Sequence, residues 1–229
     1  MKEIKLDENE RIDDLQYNGL KIIQNKNLYC FTCDAVLLAN FVKATYKDDI
    51  VDLCSGSGIV GILSMAKTNA KSLTCVEMQK VMADMCQKTI EMNQLENKVR
   101  VVNSKVQDAV SKLGNEIFTV AVCNPPYKNP QAHKINQSPN IAMSKYETTL
   151  NFVELATSVS KLLKYGGKFF FVHESNRLAE LFEVLRNVNL QPKRLKVVYP
   201  KQDANSHIVL VECQKGGKTG LIIEPPIIL

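Results

Sequence analysis

The sequence predicts an α/β fold built on a doubly wound, mainly parallel sheet. Short apolar, β-branched runs alternate with amphipathic segments of helical length through most of the chain, which is the pattern of units that form parallel sheets. A glycine-rich turn follows the first central run and opens a helix, as in nucleotide-binding sheets. The longest apolar runs, such as residues 168–172, are far too short to span a bilayer.

Length and composition indicate an ordinary globular protein. The chain has 229 residues, of which 45% are hydrophobic and 23% charged, so it can bury a large core. We expect a single domain over residues 1–229, in which residues 1–30 form an N-terminal extension. The charged opening segment lacks the apolar stretch of a secretory signal, and we expect a cytoplasmic protein.

The net charge indicates the kind of partner, and the cysteines indicate the redox compartment and whether a metal is bound. A formal net charge of +5 weakly favours an anionic partner. The seven cysteines lie mostly in apolar segments, as expected of reduced thiols in the cytosol. Cys30 and Cys33 have the spacing of a metal or redox pair, but no second pair accompanies them. We therefore favour packed cysteines at a helix start over zinc, and expect no metal.

The N-terminal segment predicts a β-hairpin followed by a helix. Residues 11–17 and 20–24 flank Asn18-Gly19, the dipeptide preferred where both central turn residues need positive φ. Thr32 then precedes a helical pattern with Asp34 in its first turn, where a carboxylate complements the helix dipole. The apolar face of this helix comprises Ala35, Leu38, Ala39 and Val42.

The next segment predicts half of a nucleotide-binding sheet. Ile50–Leu53 reads as a buried strand, and residues 54–61 turn from it into a helix. Glycines in this turn allow a ligand to approach the backbone closely. The following strand, Leu73–Val76, ends at Glu77, where an acidic side chain can bind both hydroxyls of a ribose. Gly56, Gly58 and Gly61 also match the dinucleotide spacing, so an NAD enzyme or a mere packing turn remains possible at this point.

Alternating elements continue to the C-terminus. We predict a helix from Met78 to Asn93, in which a face of Met78, Met82, Met85 and Met92 fills the core. A later helix should end at Gly166-Gly167. This later helix buries Phe152, Leu155, Ala156, Val159 and Leu162, and a further helix turns Leu178, Leu181, Phe182, Leu185 and Val188 inward. The other predicted elements are helix Val106–Leu113 and strands Val99–Val102, Ile117–Cys123, Phe169–His173, Leu195–Tyr199 and His207–Cys213, the last two forming an antiparallel hairpin.

Asn124-Pro125-Pro126-Tyr127 directly follows a buried, uncharged strand. Two successive prolines cannot continue the ladder of hydrogen bonds, so the strand ends at Asn124. The Asn124 amide and the Pro125 carbonyl then lie beyond the carboxyl edge of the sheet, with the Tyr127 ring close behind. Ligands of such sheets bind at this edge, where the glycine turn and Glu77 also lie. Acceptors beside an aromatic ring suit a planar ligand that carries an amino group.

Residues 128–146 form a long polar segment with little periodicity. A loop of this length in a compact domain is usually functional or disordered. We favour a mobile lid over the site, with a plain solvated insertion as the alternative. Lysines in this segment and in the connection between the last two strands could hold phosphates. They are Lys128, Lys134, Lys145 and Lys201.

Motifs spread along the chain resemble a known family. The matching pieces are residues 20–24 and 31–39, the glycine turn, Asn124–Tyr127, and Leu210-Val211-Glu212 followed by Lys215-Gly216-Gly217. The chain resembles class I S-adenosylmethionine-dependent methyltransferases, whose seven-stranded sheet ends in a reversed hairpin strand. Asn124–Tyr127 resembles the motif of amino-methylating members, and the chain as a whole is similar to the bacterial tRNA1(Val) (adenine(37)-N6)-methyltransferases.

The resemblance implies an enzyme that methylates the N6 amine of an adenine in tRNA with S-adenosylmethionine. Residues 31–229 would form the catalytic core, residues 128–146 the substrate loop and Asn124, Pro125, Pro126 and Tyr127 the catalytic motif. The implied cofactor-binding residues are Thr32, Asp34, Asp52, Cys54, Ser55, Gly56, Gly58, Glu77, Met78, Lys105, Val106 and Asn124. The implied substrate-binding residues are Tyr127, Lys128, Lys134, Lys145, Tyr146 and Lys201. We expect a monomer without metal or membrane association.

Three positions depart from the family pattern. Cys54 stands where glycine is usual. Lys105 aligns with an acidic residue that caps the cofactor adenine, which leaves Asp108 or Asn103 as substitutes. Lys145-Tyr146-Glu147 replaces Arg-His-Glu.

Other functions share parts of this pattern. Release-factor glutamine methyltransferases have a similar motif, but they carry a helical domain where this chain has only about fifty residues before Asp52. Methylation of guanine amines in ribosomal RNA or of adenine in DNA uses the same chemistry, although no target-recognition domain of the DNA type is evident. An NAD-dependent oxidoreductase would leave Asn124–Tyr127 without a role. A non-enzymatic RNA-binding module would not need the cofactor site.

Overall fold

A computed structural model describes residues 3–127 and 150–229 of the chain, and the predicted substrate loop lies outside them. The strands are β1 (Glu10–Asp14), β2 (Lys21–Asn25), β3 (Asp49–Leu53), β4 (Ser72–Glu77), β5 (Val99–Asn103), β6 (Phe118–Cys123), β7 (Leu163–Glu174), β8 (Leu190–Tyr199), β9 (Ile208–Lys215), β10 (Ile222–Ile223) and β11 (Ile227–Ile228). The α-helices are α1 (Cys33–Phe41), α2 (Ile59–Thr68), α3 (Lys80–Met92), α4 (Ala109–Leu113), α5 (Phe152–Leu162) and α6 (Leu178–Asn187). In the described ranges, each helix is too short or too polar to cross a membrane.

The central sheet confirms the predicted fold class. Its seven main strands lie in the order β8-β9-β7-β6-β3-β4-β5. The strands from β3 to β7 are mutually parallel, whereas β9 runs antiparallel to both β7 and β8. The carboxyl ends of β3, β4, β6 and β7 therefore share one edge, here called the carboxyl edge. Their amino ends form the opposite amino edge.

Side chains alternate between two cores, one on each face of the sheet. Ile50, Val120 and Phe170 point to the face covered by α1, α2 and α3. Their neighbours Val51 and Ala121 belong to the core beneath α4, α5 and α6. Helices cover both faces, which explains why β6 is an uncharged, hydrophobic run, whereas β3 also carries the buried Asp52.

The N-terminal hairpin forms as predicted but closes through a longer turn. Strands β1 and β2 pair antiparallel, and the Leu15 N–H donates to the Leu20 carbonyl at 2.9 Å. Asn18 and Gly19 both have positive φ, 49° and 68°. The hairpin is fastened to α3, since the Ile23 N–H donates to the Thr89 hydroxyl at 3.1 Å. Met82, Met85 and Met92 complete this core as predicted.

Several boundaries differ from the prediction. Helix α4 begins at Ala109 and not at Val106, and strands β7 and β8 begin earlier than predicted, at Leu163 and Leu190. Two other differences concern α3 and α5. Helix α3 begins at Lys80 and not at Met78, which leaves Met78 half-buried in the segment between β4 and α3. Helix α5 ends at Leu162, and Gly166-Gly167 lie inside β7. The pairing of β6 with β7 shifts register near this pair, and Gly166 has φ 80°. The glycines therefore allow an irregularity in the strand and do not cap the helix.

The C-terminal segment adds two strands that the sequence pattern did not predict. The short strands β10 and β11 pair in parallel with β8 and cover that side of the sheet. Each has only two residues, too few for a periodic signal. Separately, all seven cysteines are free thiols, and Cys75, Cys86, Cys123 and Cys213 are buried.

Candidate active site

The glycine turn joins β3 to α2 through three left-handed residues. Cys54, Gly56 and Gly58 have φ values of 58°, 55° and 92°. Glycine adopts this conformation without steric cost, whereas a side chain such as that of Cys54 costs about 1 kcal/mol or more. Gly61 has a different role, because an added Cβ would lie 2.8 Å from a Leu73 methyl carbon and 2.9 Å from Asp52 Oδ2. Two glycines thus shape the turn, and the third lets α2 pack onto the sheet.

Asp52 lies beneath this turn and is 1% exposed. Its Oδ2 accepts a hydrogen bond from the Gly61 N–H at 2.8 Å. Burial raises the pKa of Asp52 to about 8, against the opposing effect of the Gly61 hydrogen bond, and the nearby Glu77 carboxylate contributes to the increase. The side chain is thus mainly protonated at neutral pH and braces the turn from below.

The raised pKa predicts a pH-dependent stability that Asp52→Asn should remove. Between the ordinary value of 3.8 and the folded value of about 8, the folded state holds one proton more than the unfolded state. The free energy of unfolding therefore falls as pH rises, by about 1.4 kcal/mol per pH unit from this group. At pH values below the ordinary pKa or above the pKa in the folded state, the contribution of Asp52 to the free energy of unfolding does not change with pH. Urea unfolding of the wild type and of Asp52→Asn at several pH values measures this contribution. If the free energy of unfolding depended on pH in the same way in both proteins, the prediction would be contradicted.

Glu77 ends β4 at the carboxyl edge and faces the glycine turn. Its Oε2 accepts from the Gly56 N–H at 2.9 Å, and its Oε1 accepts from the Gln79 N–H at 2.8 Å. Burial raises the pKa of Glu77, while these hydrogen bonds oppose the increase. The Asn103 amide donates to the carbonyls of Glu77 and Met78 at 2.8 and 3.0 Å. The carboxylate is thus held in place, and its remaining lone pairs are available to a ligand.

Asn124 and Pro126 complete a pocket that the glycine turn and Glu77 begin. The predicted residues that line it are Cys54, Ser55, Gly56, Glu77, Met78, Val106, Asn124 and Pro126. In the described parts of the chain, five predicted cofactor residues lie outside its wall: Thr32, Asp34, Asp52, Gly58 and Lys105. Thr32 and Gly58 occupy the N-cap positions of α1 and α2, where the Thr32 side chain makes no capping hydrogen bond, and Lys105 is exposed. The pocket therefore joins the three motifs at the carboxyl edge.

Sequence reasoning missed several lining residues. Ser104 and Gln107 follow β5 and flank Val106 in the wall, whereas Lys105, Asp108 and Asn103 do not line it. The rule that ligands bind beyond strand ends could have identified this pair. Tyr29 and Phe31, just before α1, also reach the pocket, although only the packing of α1 places them there. The other missed lining residues are Ala35, Ser57, Ile59, Val60, Val76, Gln79, Met82 and Leu150.

Tyr127 is fixed by two side chains from distant parts of the chain. Its hydroxyl donates to Asp34 Oδ2 at 2.5 Å. Its ring centroid lies 5.4 Å from that of His173, with the planes inclined by 45°. His173 is fully buried at the end of β7, and its ring also meets Phe152 edge-on at 5.6 Å. Burial, together with the Asp34 carboxylate, raises the pKa of Tyr127, which stays a neutral donor.

The predicted substrate residues are only partly described. Tyr127 directly follows Pro126, which lines the pocket, but neither Tyr127 nor Pro125 is part of the pocket wall. Lys201 is exposed in the connection between β8 and β9, at the end of β8 that faces the carboxyl edge. The other four predicted substrate residues lie outside the described residues: Lys128, Lys134, Lys145 and Tyr146.

Comparison with known proteins finds similar methyltransferases. A protein of Shewanella sediminis named tRNA1(Val) (adenine(37)-N6)-methyltransferase is 26% identical over 178 residues, which cover 76% of this chain and 71% of the relative. A protein of the same name from Shewanella putrefaciens is 30% identical over 137 residues, or 58% of this chain and 56% of the relative. The matched part thus spans between about half and about seven tenths of these relatives.

Solved structures and a family match identify the architecture. A protein from Agrobacterium tumefaciens, described as a predicted O-methyltransferase, superposes with a TM-score of 0.68 over 85% of this chain and 86% of its own, at 21% identity. This similarity concerns the fold alone, and it confirms the predicted class I methyltransferase architecture. The methyltransferase small domain family matches residues 31–197. Since this match covers most of the chain, the protein belongs to the methyltransferase small domain family.

Proposed function

We propose that the protein transfers a methyl group from S-adenosylmethionine to the exocyclic N6 amine of an adenine in tRNA. The observation that carries this proposal is that Asn124 shares a pocket wall with the glycine turn and Glu77. Such a wall brings the Asn124 amide oxygen, an acceptor for an amine, next to a nucleoside site. The relatives' names supply the finer assignment to adenine 37 of a tRNA(Val), and a cytoplasmic location would follow from that substrate.

The residues present fit the methyl donor. S-adenosylmethionine supplies an electrophilic methyl group on a sulfonium, with a ribose and an adenine. The Glu77 carboxylate would accept hydrogen bonds from the two ribose hydroxyls. Ser104, Val106 and Gln107 would border the adenine, and the backbone of residues 54–56 would approach the methionine part. A carboxylate beside the site also suits the positive charge of the donor.

Asn124 and Pro125 would activate the amine without a strong base. The lone pair of an exocyclic adenine amine is delocalised into the ring, which makes the nitrogen a poor nucleophile. The Asn124 side-chain oxygen and the Pro125 carbonyl would accept hydrogen bonds from its two N–H groups and turn the lone pair toward the methyl group. As the nitrogen–carbon bond forms, the sulfur–carbon bond would break with its electron pair returning to sulfur, and the methylated amine would lose one proton to solvent. Fixed acceptors aimed at charge that develops on the nitrogen stabilise the transition state, and the fixed geometry adds proximity.

Tyr127 would stack on the target base after the base leaves its strand. Enzymes that modify bases commonly extrude them into a pocket, and stacking on an aromatic ring contributes about 1–3 kcal/mol. The ring must hold one orientation for this purpose. Its hydrogen bond to Asp34 and its contact with His173 provide that constraint. Asp34, which the sequence assigned to the cofactor, would then act as a positioning residue for Tyr127.

Removing this hydrogen bond should weaken catalysis without affecting the cofactor. Asp34→Ala and Tyr127→Phe are each expected to lower kcat/KM for tRNA roughly tenfold or more, since a hydrogen bond to a charged group contributes about 1.5–3 kcal/mol. The double variant should lose little more than either single variant, because both remove the same bond. Asp34→Asn keeps an acceptor oxygen and should retain most activity. Steady-state kinetics with tRNA measure all four.

A matched control is Asp84→Ala, which breaks an exposed ion pair with Lys80 on α3 and should leave kcat/KM unchanged. Affinity for S-adenosylhomocysteine should stay the same in every variant. Additive losses in the double variant would mean that Asp34 and Tyr127 act independently.

Two assays test the proposed function against its alternatives. Calorimetry should detect binding of S-adenosylhomocysteine and no binding of NAD, whereas the reverse result would indicate an oxidoreductase. Incubation with methyl-labelled donor, total tRNA and cell protein should place the label in tRNA. If the labelled methyl group appeared in protein instead, the substrate would be a protein, as in glutamine methylation. Absence of transfer to any acceptor would contradict an enzymatic role.

A further inference from the structure

We infer that a basic groove on the amino edge of the sheet is a second binding surface for RNA, on the side opposite the pocket. The inference rests on the proposed tRNA substrate. The groove runs between residues 43–48, which precede β3, and residues 164–168 of β7. The strands between it and the pocket have five or six residues, so the two sites lie roughly 20 Å apart.

Lysines give the groove a positive charge. Lys43, Lys164 and Lys168 line it, against a single lining carboxylate, that of Asp48. Asp48 Oδ2 already accepts hydrogen bonds from the Thr45 N–H and hydroxyl at 2.7 and 2.8 Å. Considering residues 3–127 and 150–229 only, neither Lys43 nor Lys164 has an ion-pair partner. Two ammonium groups are thus available to an anionic ligand.

Tyr165 forms a fixed aromatic platform at the groove. Its side chain is 76% exposed, yet its hydroxyl donates to the Gly216 carbonyl at 3.1 Å. The ring packs directly on Gly216, since an added Cβ there would lie 2.1 Å from a ring carbon. Gly216 also has φ 66°, which disfavours any other residue. An exposed ring held in one orientation can receive a ligand with little loss of conformational entropy.

This platform gives Lys215-Gly216-Gly217 a structural explanation. Lys215 is tied to the start of β7, since its ammonium donates to the Leu163 carbonyl at 2.8 Å and pairs with Glu116 at 2.9 Å. The segment therefore holds Gly216 beneath the Tyr165 ring. None of these contacts involves the pocket, so the methyl-transfer site does not account for them.

Lysines beside an aromatic platform suit single-stranded or looped nucleic acid. Ammonium groups neutralise phosphates, and every base has a flat face that stacks on a tyrosine ring. An acidic protein would use the lysines but has no particular need of the platform. A tRNA whose target base lies in the pocket is large enough to reach the amino edge, so the groove would add binding energy to that of the pocket.

Equilibrium binding of a full-length tRNA transcript tests the inference. The double variant K43Q/K164Q should weaken binding and reduce the slope of log affinity against log salt by about two, since each phosphate contact contributes about one. The double variant K26Q/K98Q removes the same charge at exposed positions elsewhere and should match the wild type. Tyr165→Ala should weaken binding roughly tenfold, whereas Tyr165→Phe, which keeps the ring, should stay within roughly threefold of wild type.

Thermal stability and cofactor affinity serve as internal controls. Affinity for S-adenosylhomocysteine should be unchanged in all four variants, and thermal unfolding should be unchanged in the two lysine double variants. If K43Q/K164Q and K26Q/K98Q bound RNA equally well, the inference that the groove binds RNA would be wrong. The proposed function would still stand, provided that the wild type methylates tRNA. Failure of the wild type to bind tRNA would overturn both. If the wild type bound phosphatidylglycerol vesicles and K43Q/K164Q lost this binding but still bound tRNA normally, the groove would be a lipid site and the inference would be wrong.

Discussion

Replacing Asn124 with alanine is expected to lower kcat for methyl transfer roughly a thousandfold while leaving the affinity for S-adenosylhomocysteine nearly unchanged. Asn124 follows β6 directly and lines the pocket opposite the glycine turn. In the proposed mechanism the Asn124 side-chain oxygen accepts a hydrogen bond from an N–H group of the amine, and this hydrogen bond strengthens as the amine attacks the methyl group. Loss of one preorganised polar group of this kind costs roughly a hundredfold to a thousandfold in kcat.

Two further variants sharpen this test. Asn124→Asp keeps an acceptor oxygen and should recover part of the activity. Asn187→Ala removes an exposed amide at the end of α6 and should behave as wild type. Single-turnover kinetics with saturating cofactor measure the chemical step directly. Near-normal turnover by Asn124→Ala would eliminate the proposed activation of the amine.

Replacing Glu77 with alanine is expected to weaken S-adenosylhomocysteine binding roughly a hundredfold. The substitution removes a carboxylate that would hold two ribose hydroxyls, and hydrogen bonds to a charged acceptor contribute about 1.5–3 kcal/mol each. It also leaves the Gly56 and Gln79 N–H groups without their present acceptors. The glycine turn should therefore lose its preferred conformation as well. Calorimetry measures the affinity, and thermal unfolding measures the effect on the turn.

Isosteric and control variants separate the two effects of Glu77. Glu77→Gln retains an acceptor for one backbone N–H but loses the charge, so its affinity should be intermediate. Glu96→Gln changes an exposed carboxylate outside the pocket and should bind the cofactor normally. If Glu77→Ala binds S-adenosylhomocysteine as tightly as the wild type, the pocket is not the ribose site.

Local chemistry explains what the sequence predicted well. Strand β6 is uncharged and buried on both faces, so its sequence marks it as a central strand. Strand β3 is recognised from Ile50, Val51 and Leu53, although it also carries Asp49 and Asp52. Glycines mark the turn because Gly56 and Gly58 need left-handed φ and Gly61 needs close packing. Proline chemistry ends β6 at Cys123, which places Asn124 at the carboxyl edge. Each inference depends on neighbours in sequence, and each locates a pocket residue.

Long-range packing explains what the sequence could not predict. The Tyr127 hydroxyl meets Asp34 across 93 residues, and no local pattern pairs them. Tyr165 and Gly216 are likewise joined only by the antiparallel pairing of β7 with β9. Met78 fits a helical stripe with Met82 and Met85, yet α3 starts two residues later, and Met78 reaches the pocket instead. Periodicity detects an apolar face but not the residue at which the helix begins.

Mass spectrometry of nucleosides tests the central claim most directly. Unmodified tRNA is incubated with S-adenosylmethionine and either the wild type or Asn124→Ala, then digested and compared. The proposal predicts N6-methyladenosine with the wild type and only a trace with the variant. Appearance of N2-methylguanosine, or of no methylated nucleoside while protein becomes labelled, would contradict it.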